Sequence, residues 1–150
     1  MTTLRHQIPD EPARKPKAGQ PEFELQCAVS DRIRQTVFPD VSWTAFPAGE
    51  KRDPATGARL KRMGVASGWP DYLFLVNGQL IGVELKTEAD LIRGVGKGYL
   101  TPEQKAVRDA WERQGVKYIV CHGFDAAITV LTIHGVIRPD VSLQRARPAA

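Results

Sequence analysis

A chain of 150 residues with 42% apolar and 25% charged side chains has the composition of one globular domain, large enough to bury about two thirds of its unfolded surface. No apolar run approaches the roughly 20 residues that span a bilayer, and the charged N-terminus does not read as a secretory signal, so the expected location is cytoplasmic. The net charge of +4 is unevenly held: residues 51–66 carry five cations against one acid, both ends are mildly basic and the remainder is acidic, a pattern suited to meeting a polyanion while keeping carboxylates for a cation.

Residues 1–21 hold four prolines and scarcely any apolar surface, so they cannot offset the entropy of ordering and are expected to form a disordered basic tail. From Pro21 onward, Leu25, Val29, Ile33 and Val37 recur every fourth residue, which predicts an amphipathic helix ending near Pro39 with Glu22 and Glu24 in its first turn. Val41 to Phe46 reads as a short strand, and Pro47 to Gly68 as a long basic loop without periodicity. The β-rich runs Asp71 to Val76 and Gln79 to Lys86 flank Asn77-Gly78, the strongest short-range signal for a tight hairpin.

That turn sets a register in which Asp71 stands opposite Glu84, and Lys86, two residues further on, shares their face. Leu73, Leu75 and Leu80 lie on the same side, while Tyr72, Phe74, Ile81, Val83 and Leu85 line the other. The hairpin is therefore expected at the centre of a sheet covered on both sides. Residues 87–100 read as a second loop. Thr101-Pro102-Glu103-Gln104 then predicts a helix opened by an N-cap, an N1 proline and a capping-box glutamine, with Gly115 closing it. Lys117 to Cys121 reads as a strand, Phe124 to Leu131 as a short helix or a strand, and the chain from Arg138 as a tail. The order α-β-β-β-α-β-α gives an α/β layered domain around a small mixed sheet.

Two carboxylates opposed in the middle of a sheet repel one another. A divalent cation compensates that repulsion, and Mg²⁺ binds through one or two carboxylates with water and substrate phosphate filling the other positions. Lys86 adds a positive charge that can orient a water or stabilise a charged transition state. The ordinary alternative is a cross-strand ion-pair cluster, which mostly apolar surroundings disfavour. Gln104 can serve either the capping box or the site, and Glu24 either the helix dipole or the site. Lys51, Arg52, Arg59, Lys61 and Arg62 are candidate phosphate contacts. Cys27 and Cys121 are too few and too far apart for a disulfide framework or a zinc site, and His6, His122 and His134 have no metal-site spacing. Gly94-Val-Gly-Lys-Gly98 lacks the spacing of a P-loop.

Pro70-Asp71 followed by Glu84-Leu85-Lys86 matches the PD-(D/E)xK nuclease signature. With the lead-in Gly64-Val-Ala-Ser-Gly-Trp-Pro70, the strand end Val83 to Thr87, Leu100-Thr-Pro-Glu-Gln104, and the helix start Glu22-x-Glu24-Leu25-Gln26, the chain resembles the virus-type replication-repair nuclease domain, VRR-NUC, over residues 22–131. The resemblance implies a restriction-endonuclease-like three-layer core within a domain at 22–137, followed by a C-terminal tail at 138–150. It implies that Asp71, Glu84 and the carbonyl of Leu85 hold Mg²⁺ or Mn²⁺, that Lys86 is the catalytic lysine, and that Gln104 supports it. An acid from the first helix completes such sites, with Glu24 the choice here and Glu22 and Gln26 its rivals. The implied activity is hydrolysis of DNA phosphodiesters, structure-selective for Holliday junctions or flaps in DNA repair, by a homodimer. The alternative is a non-catalytic nucleic-acid-binding subunit of a replication or repair assembly. Trp69 and the basic stretch at 51–62 do not map onto the family.

Overall fold

The computed structural model describes residues 21–46, 53–88 and 100–139. In chain order they form α1 (Pro21–Thr36), β1 (Ser42–Ala45), α2 (Pro54–Arg62), β2 (Tyr72–Val76), β3 (Gln79–Lys86), α3 (Pro102–Arg113), β4 (Lys117–His122) and α4 (Phe124–Ile133). The expected tails lie outside the described residues, except Pro21 and the start of the C-terminal segment.

The strands form one mixed sheet in the order β1-β2-β3-β4. Asn77 and Gly78 both adopt positive φ, 49° and 75°, the conformation a type I′ turn requires and the reason for an Asn-Gly pair. The turn fixes Val76 opposite Gln79, and the pairing runs unbroken to Tyr72 opposite Val83, the register expected from sequence. Antiparallel β1 flanks the hairpin through β2 and parallel β4 flanks it through β3.

The two sheet faces are covered unequally. Val29 and Ile33 of α1 and Ala127 and Leu131 of α4 meet Tyr72, Phe74, Val83 and Leu85 in the main core. Buried Tyr72 anchors α1 by donating to the Gln26 carbonyl at 2.8 Å and sharing a hydrogen bond with Ser30 Oγ; burial raises its pKa. On the opposite face, α3 packs Trp111 against Tyr118, with Leu100, Val107, Trp69 and Leu73 around them. This second layer covers only part of its face. Leu75 and Leu80, expected beneath it, are 50% and 36% exposed. The result is a three-layer α/β domain with a restriction-endonuclease-like architecture.

One element departs from expectation: residues 54–62, read as part of a loop, form α2. The helix buries no residue, so it leaves no apolar periodicity in the sequence. Local chemistry ends it on both sides. Asp53 accepts from the Thr56 N–H at 3.0 Å and Pro54 takes the first turn, as an N-cap requires. At the other end Gly64, at φ 95°, donates to Lys61 while Val65 donates to Leu60, the paired bonds of a Schellman motif. The Phe124 segment resolves as a helix because Gly123, at φ 87°, turns the chain out of β4. Thr87 and Glu88 apart, the second expected loop lies outside the described residues until Leu100.

Candidate functional site

Strand alternation and the hairpin register deliver the three charged residues to the α3 side of the sheet. Asp71 lies one residue before β2, where its side chain replaces a ladder bond: Oδ2 accepts from the Leu85 N–H at 2.8 Å. Glu84 is 4% exposed, and Lys86 Nζ lies 2.9 Å from Glu84 Oε1 with only 12% of the lysine side chain exposed. Next to Lys86, the Gly123 N–H donates to the Lys86 carbonyl at 2.8 Å, holding the end of β3 against the turn into α4.

Gln104 serves the helix cap and the site at once. Thr101 Oγ1 accepts from the Gln104 N–H, and the Thr101 N–H donates to Gln104 Oε1 at 2.9 Å, completing the capping box. That second bond fixes which end of the amide faces the sheet. Oε1 also accepts from Lys86 Nζ at 3.4 Å, while Nε2 donates to Glu84 Oε1 at 2.5 Å. The position of α3 is set in turn by Gly68, at φ 90°, where an added Cβ would stand 2.5 Å from the Glu103 carbonyl oxygen. The lead-in glycine thus lets the helix N-terminus reach the sheet.

Electrostatics set Asp71 apart. Burial, and then the neighbouring Glu84 carboxylate, push its pKa from 3.8 to about 7, while the Leu85 N–H and Lys86 pull it back and Glu22 adds to the rise. The charge on α1 that Asp71 senses is therefore that of Glu22. Glu24 is exposed, and the structure shows no contact between it and the pair.

Glu84 Oε2 is buried and has no hydrogen-bond partner among the described residues. A buried carboxylate oxygen left unpaired costs about 1–3 kcal/mol or more, and a cation beside it removes that cost. Among the described residues no cluster of three or more His, Cys, Asp or Glu side chains offers a closed cage. Two carboxylates suit an ion that keeps water or substrate oxygens in its shell. Asp71 and Glu84 are the residues that could hold it.

Of the expected phosphate contacts, Arg59, Lys61 and Arg62 are exposed in the last turn of α2, whereas Lys51 and Arg52 lie outside the described residues. Sequence reasoning left out Phe46. Its N–H donates to the Asp71 carbonyl at 2.7 Å, one position past the last β1–β2 pair, Ala45 with Tyr72. Phe46 thus stands opposite Asp71, just beyond the β1–β2 ladder, as Glu84 stands opposite Val120 in the β3–β4 ladder. The signal that could have found it is the register of β1, which no turn motif specifies.

A solved structure described as a VRR_NUC domain protein superposes on 78% of this chain and 95% of its own length, with a TM-score of 0.58 and 24% identity. The fold is VRR-NUC-like. At that identity the likeness speaks for the architecture alone. No family model matches the chain, and no curated protein matches it. Within the VRR-NUC-like fold, the Asp71–Glu84–Lys86 face and the α3 N-terminus meet through Gln104. No helix among the described residues is long and apolar enough to cross a membrane.

Proposed function

We propose that this chain is a divalent-metal-dependent DNA endonuclease of the PD-(D/E)xK type. The observation that carries the reading is the buried, unpartnered Glu84 Oε2 beside a second, half-buried carboxyl, Asp71. Structural ion-pair clusters satisfy their acceptors, and this one leaves an acceptor open where a cation would be shared by two acids. Asp71 and Glu84 would hold Mg²⁺ or Mn²⁺, with the carbonyl of Leu85 as a third donor. When bound, the ion supplies positive charge at the scissile phosphate and acidity to the attacking water.

The chain's own residues supply the rest. Lys86 is held between Glu84 and Gln104, a fixed positive charge aimed where negative charge grows on the phosphate oxygens. Gln104 keeps the lysine and Glu84 in place through an amide locked by its own helix cap. Arg59, Lys61 and Arg62 contact the DNA backbone. Glu24 or Glu22 of α1 would complete the site, and the charge of Glu22 on Asp71 favours Glu22. The same reading extends to branched DNA as substrate, of the four-way-junction or flap type, and to a homodimer that places two cuts symmetrically.

The deciding experiment incubates purified protein with labelled four-way junction, flap, linear duplex and single-stranded DNA in Mg²⁺, Mn²⁺ or EDTA. Metal-dependent cutting that falls by about 100-fold or more in Lys86→Ala and in Asp71→Asn is expected. Cutting that survives in EDTA, or in both variants, would sink the reading. DNA binding without cutting by the wild-type chain would identify a non-catalytic subunit. Paired symmetric nicks in the junction, with a dimer mass in solution, are expected for the branched substrate.

A further inference from the structure

Beside the two carboxylates lies an aromatic surface that phosphodiester hydrolysis by itself does not use. Phe46 stands in register with Asp71 on the same face of the sheet. Trp69, two residues before Asp71, meets Phe46 with ring centroids 6.3 Å apart at an interplanar angle of 52°. Both rings are only partly buried. Their placement is rigid. Trp69 is braced edge-on by Trp111 at 5.3 Å, and Trp111 by Tyr118 at 5.8 Å. Tyr118 in turn donates to the Gly68 carbonyl at 3.2 Å, immediately before Trp69. Pro70 is fully buried, and it links Trp69 to Asp71 with little backbone freedom.

On the other side of Trp69 in the chain, the Gly64–Gly68 turn leads back to α2. That helix carries Arg59, Lys61 and Arg62 with no acid in its nine residues, and buries none of them. A helix that contributes nothing to the core, yet is capped at both ends, is a preformed basic projection. Cations that follow a phosphate chain, next to rings that take bases, are the two components of an unpaired-strand track. In a duplex the bases are stacked on one another and unavailable to protein rings, so such a platform favours nucleotides without a partner.

We propose that the Phe46–Trp69 pair stacks an unpaired base next to the Asp71–Glu84 site at which the strand would be cut, while the cations of α2 hold the phosphates of the same strand. The inference rests on the nuclease reading and adds to it the residues that would hold an unpaired nucleotide beside the cut. The rings set which DNA is held, and Asp71, Glu84 and Lys86 carry out the cleavage.

The test measures binding in EDTA, apart from cleavage. A short oligothymidylate and a blunt duplex are titrated into the wild-type chain and into Trp69→Phe, Trp69→Ala and Phe46→Ala, following tryptophan fluorescence and the anisotropy of labelled DNA. Oligothymidylate is expected to quench wild-type fluorescence, and the quench is expected to vanish in Trp69→Phe although Trp43 and Trp111 remain. The ratio of affinities for oligothymidylate over duplex is expected to fall about 10-fold in Trp69→Ala and Phe46→Ala, the scale of one lost base–ring stack. A merely structural role would move the melting temperature and leave that ratio alone. Should Trp69→Ala fail to fold, Trp69→Phe and Phe46→Ala still decide. A wild-type chain that does not bind oligothymidylate, a quench that persists in Trp69→Phe, or an unchanged ratio in Phe46→Ala overturns the platform. Metal-dependent cutting combined with an unchanged ratio leaves the nuclease standing without it. The expected quench and ratio in a protein that never cuts DNA uphold the platform and refute the nuclease.

Discussion

Asp71 illustrates how much a single environment can do to a single carboxyl. Burial first, and the Glu84 charge second, raise its pKa to about 7. A carboxyl whose folded pKa lies above its unfolded value binds its proton more tightly in the folded state. Its stabilising contribution is then complete below the unfolded pKa and is lost as pH rises through the folded one. Metal-free protein is therefore expected to lose stability between about pH 4 and pH 7, and Asp71→Asn to lose less over that interval. Urea titrations in EDTA at about pH 5 and about pH 8 check this; equal losses in both proteins would contradict it. Repeating the series with Mg²⁺ is expected to recover stability only at the higher pH, where Asp71 is ionised and can help hold the ion.

Elements here reach the candidate site through their ends. The α3 cap orients the Gln104 amide, so cap and site share one hydrogen-bond network. Thr101→Ala is expected to cost about 1 kcal/mol and also to lower DNA cleavage, because the Gln104 backbone N–H loses its acceptor and the residue that carries the site amide is held less firmly. Thr101→Ser should restore both; intact cleavage in Thr101→Ala would show that the cap and the site are independent. The hairpin has its own constraint at Gly82, where an added Cβ would come 2.6 Å from Pro70 Cγ and 2.6 Å from a Trp111 ring atom. Gly82→Ala is expected to destabilise by about 1–3 kcal/mol, the usual range for overpacking, measured as a shift of the urea midpoint with an unchanged slope. In α2, by contrast, exposed cations can be replaced by alanine within about 0.5 kcal/mol of wild-type stability, while DNA affinity falls and its salt dependence shallows.

At the scale of the whole molecule, the two ends of the described fold lock each other. Val37 bridges Ile137, the Phe38 N–H donates to Val136, and the Arg138 N–H donates to the Thr36 carbonyl at 2.9 Å. The Arg138 side chain adds contacts to the carbonyls of Gln35 and Thr36, so the first residue of the expected C-terminal tail closes the last turn of α1. Val136 and Ile137 are buried at 0% and 1% exposure. Ending the chain after Gly135 is expected to cost about 3–6 kcal/mol, from two buried aliphatic side chains, a large share of the roughly 5–15 kcal/mol that holds an ordinary domain together. Ending it after Pro139 keeps both residues and is expected to leave the melting temperature within a few degrees; circular dichroism melts of the two truncations decide.

Local rules carried much of the structure. The Asn-Gly turn imposes a register, and with the strand period of two that register alone puts Asp71, Glu84 and Lys86 on one face. The α3 cap and the spacing of Leu25, Val29 and Ile33 were legible for the same reason: each depends on residues within a few positions of one another. Helix α2 was locally encoded too, by Asp53, Pro54 and Gly64, but an apolar period is the stronger signal and this helix has none. Only the tertiary structure decided the rest. That Gln104 faces Glu84 as well as its own cap, that Phe46 stands beside Asp71, that α3 leaves Leu75 and Leu80 open, and that Glu84 Oε2 is buried without a partner all depend on contacts between segments distant in sequence. Such contacts follow from how whole faces pack and exclude water, which no short stretch of the chain specifies.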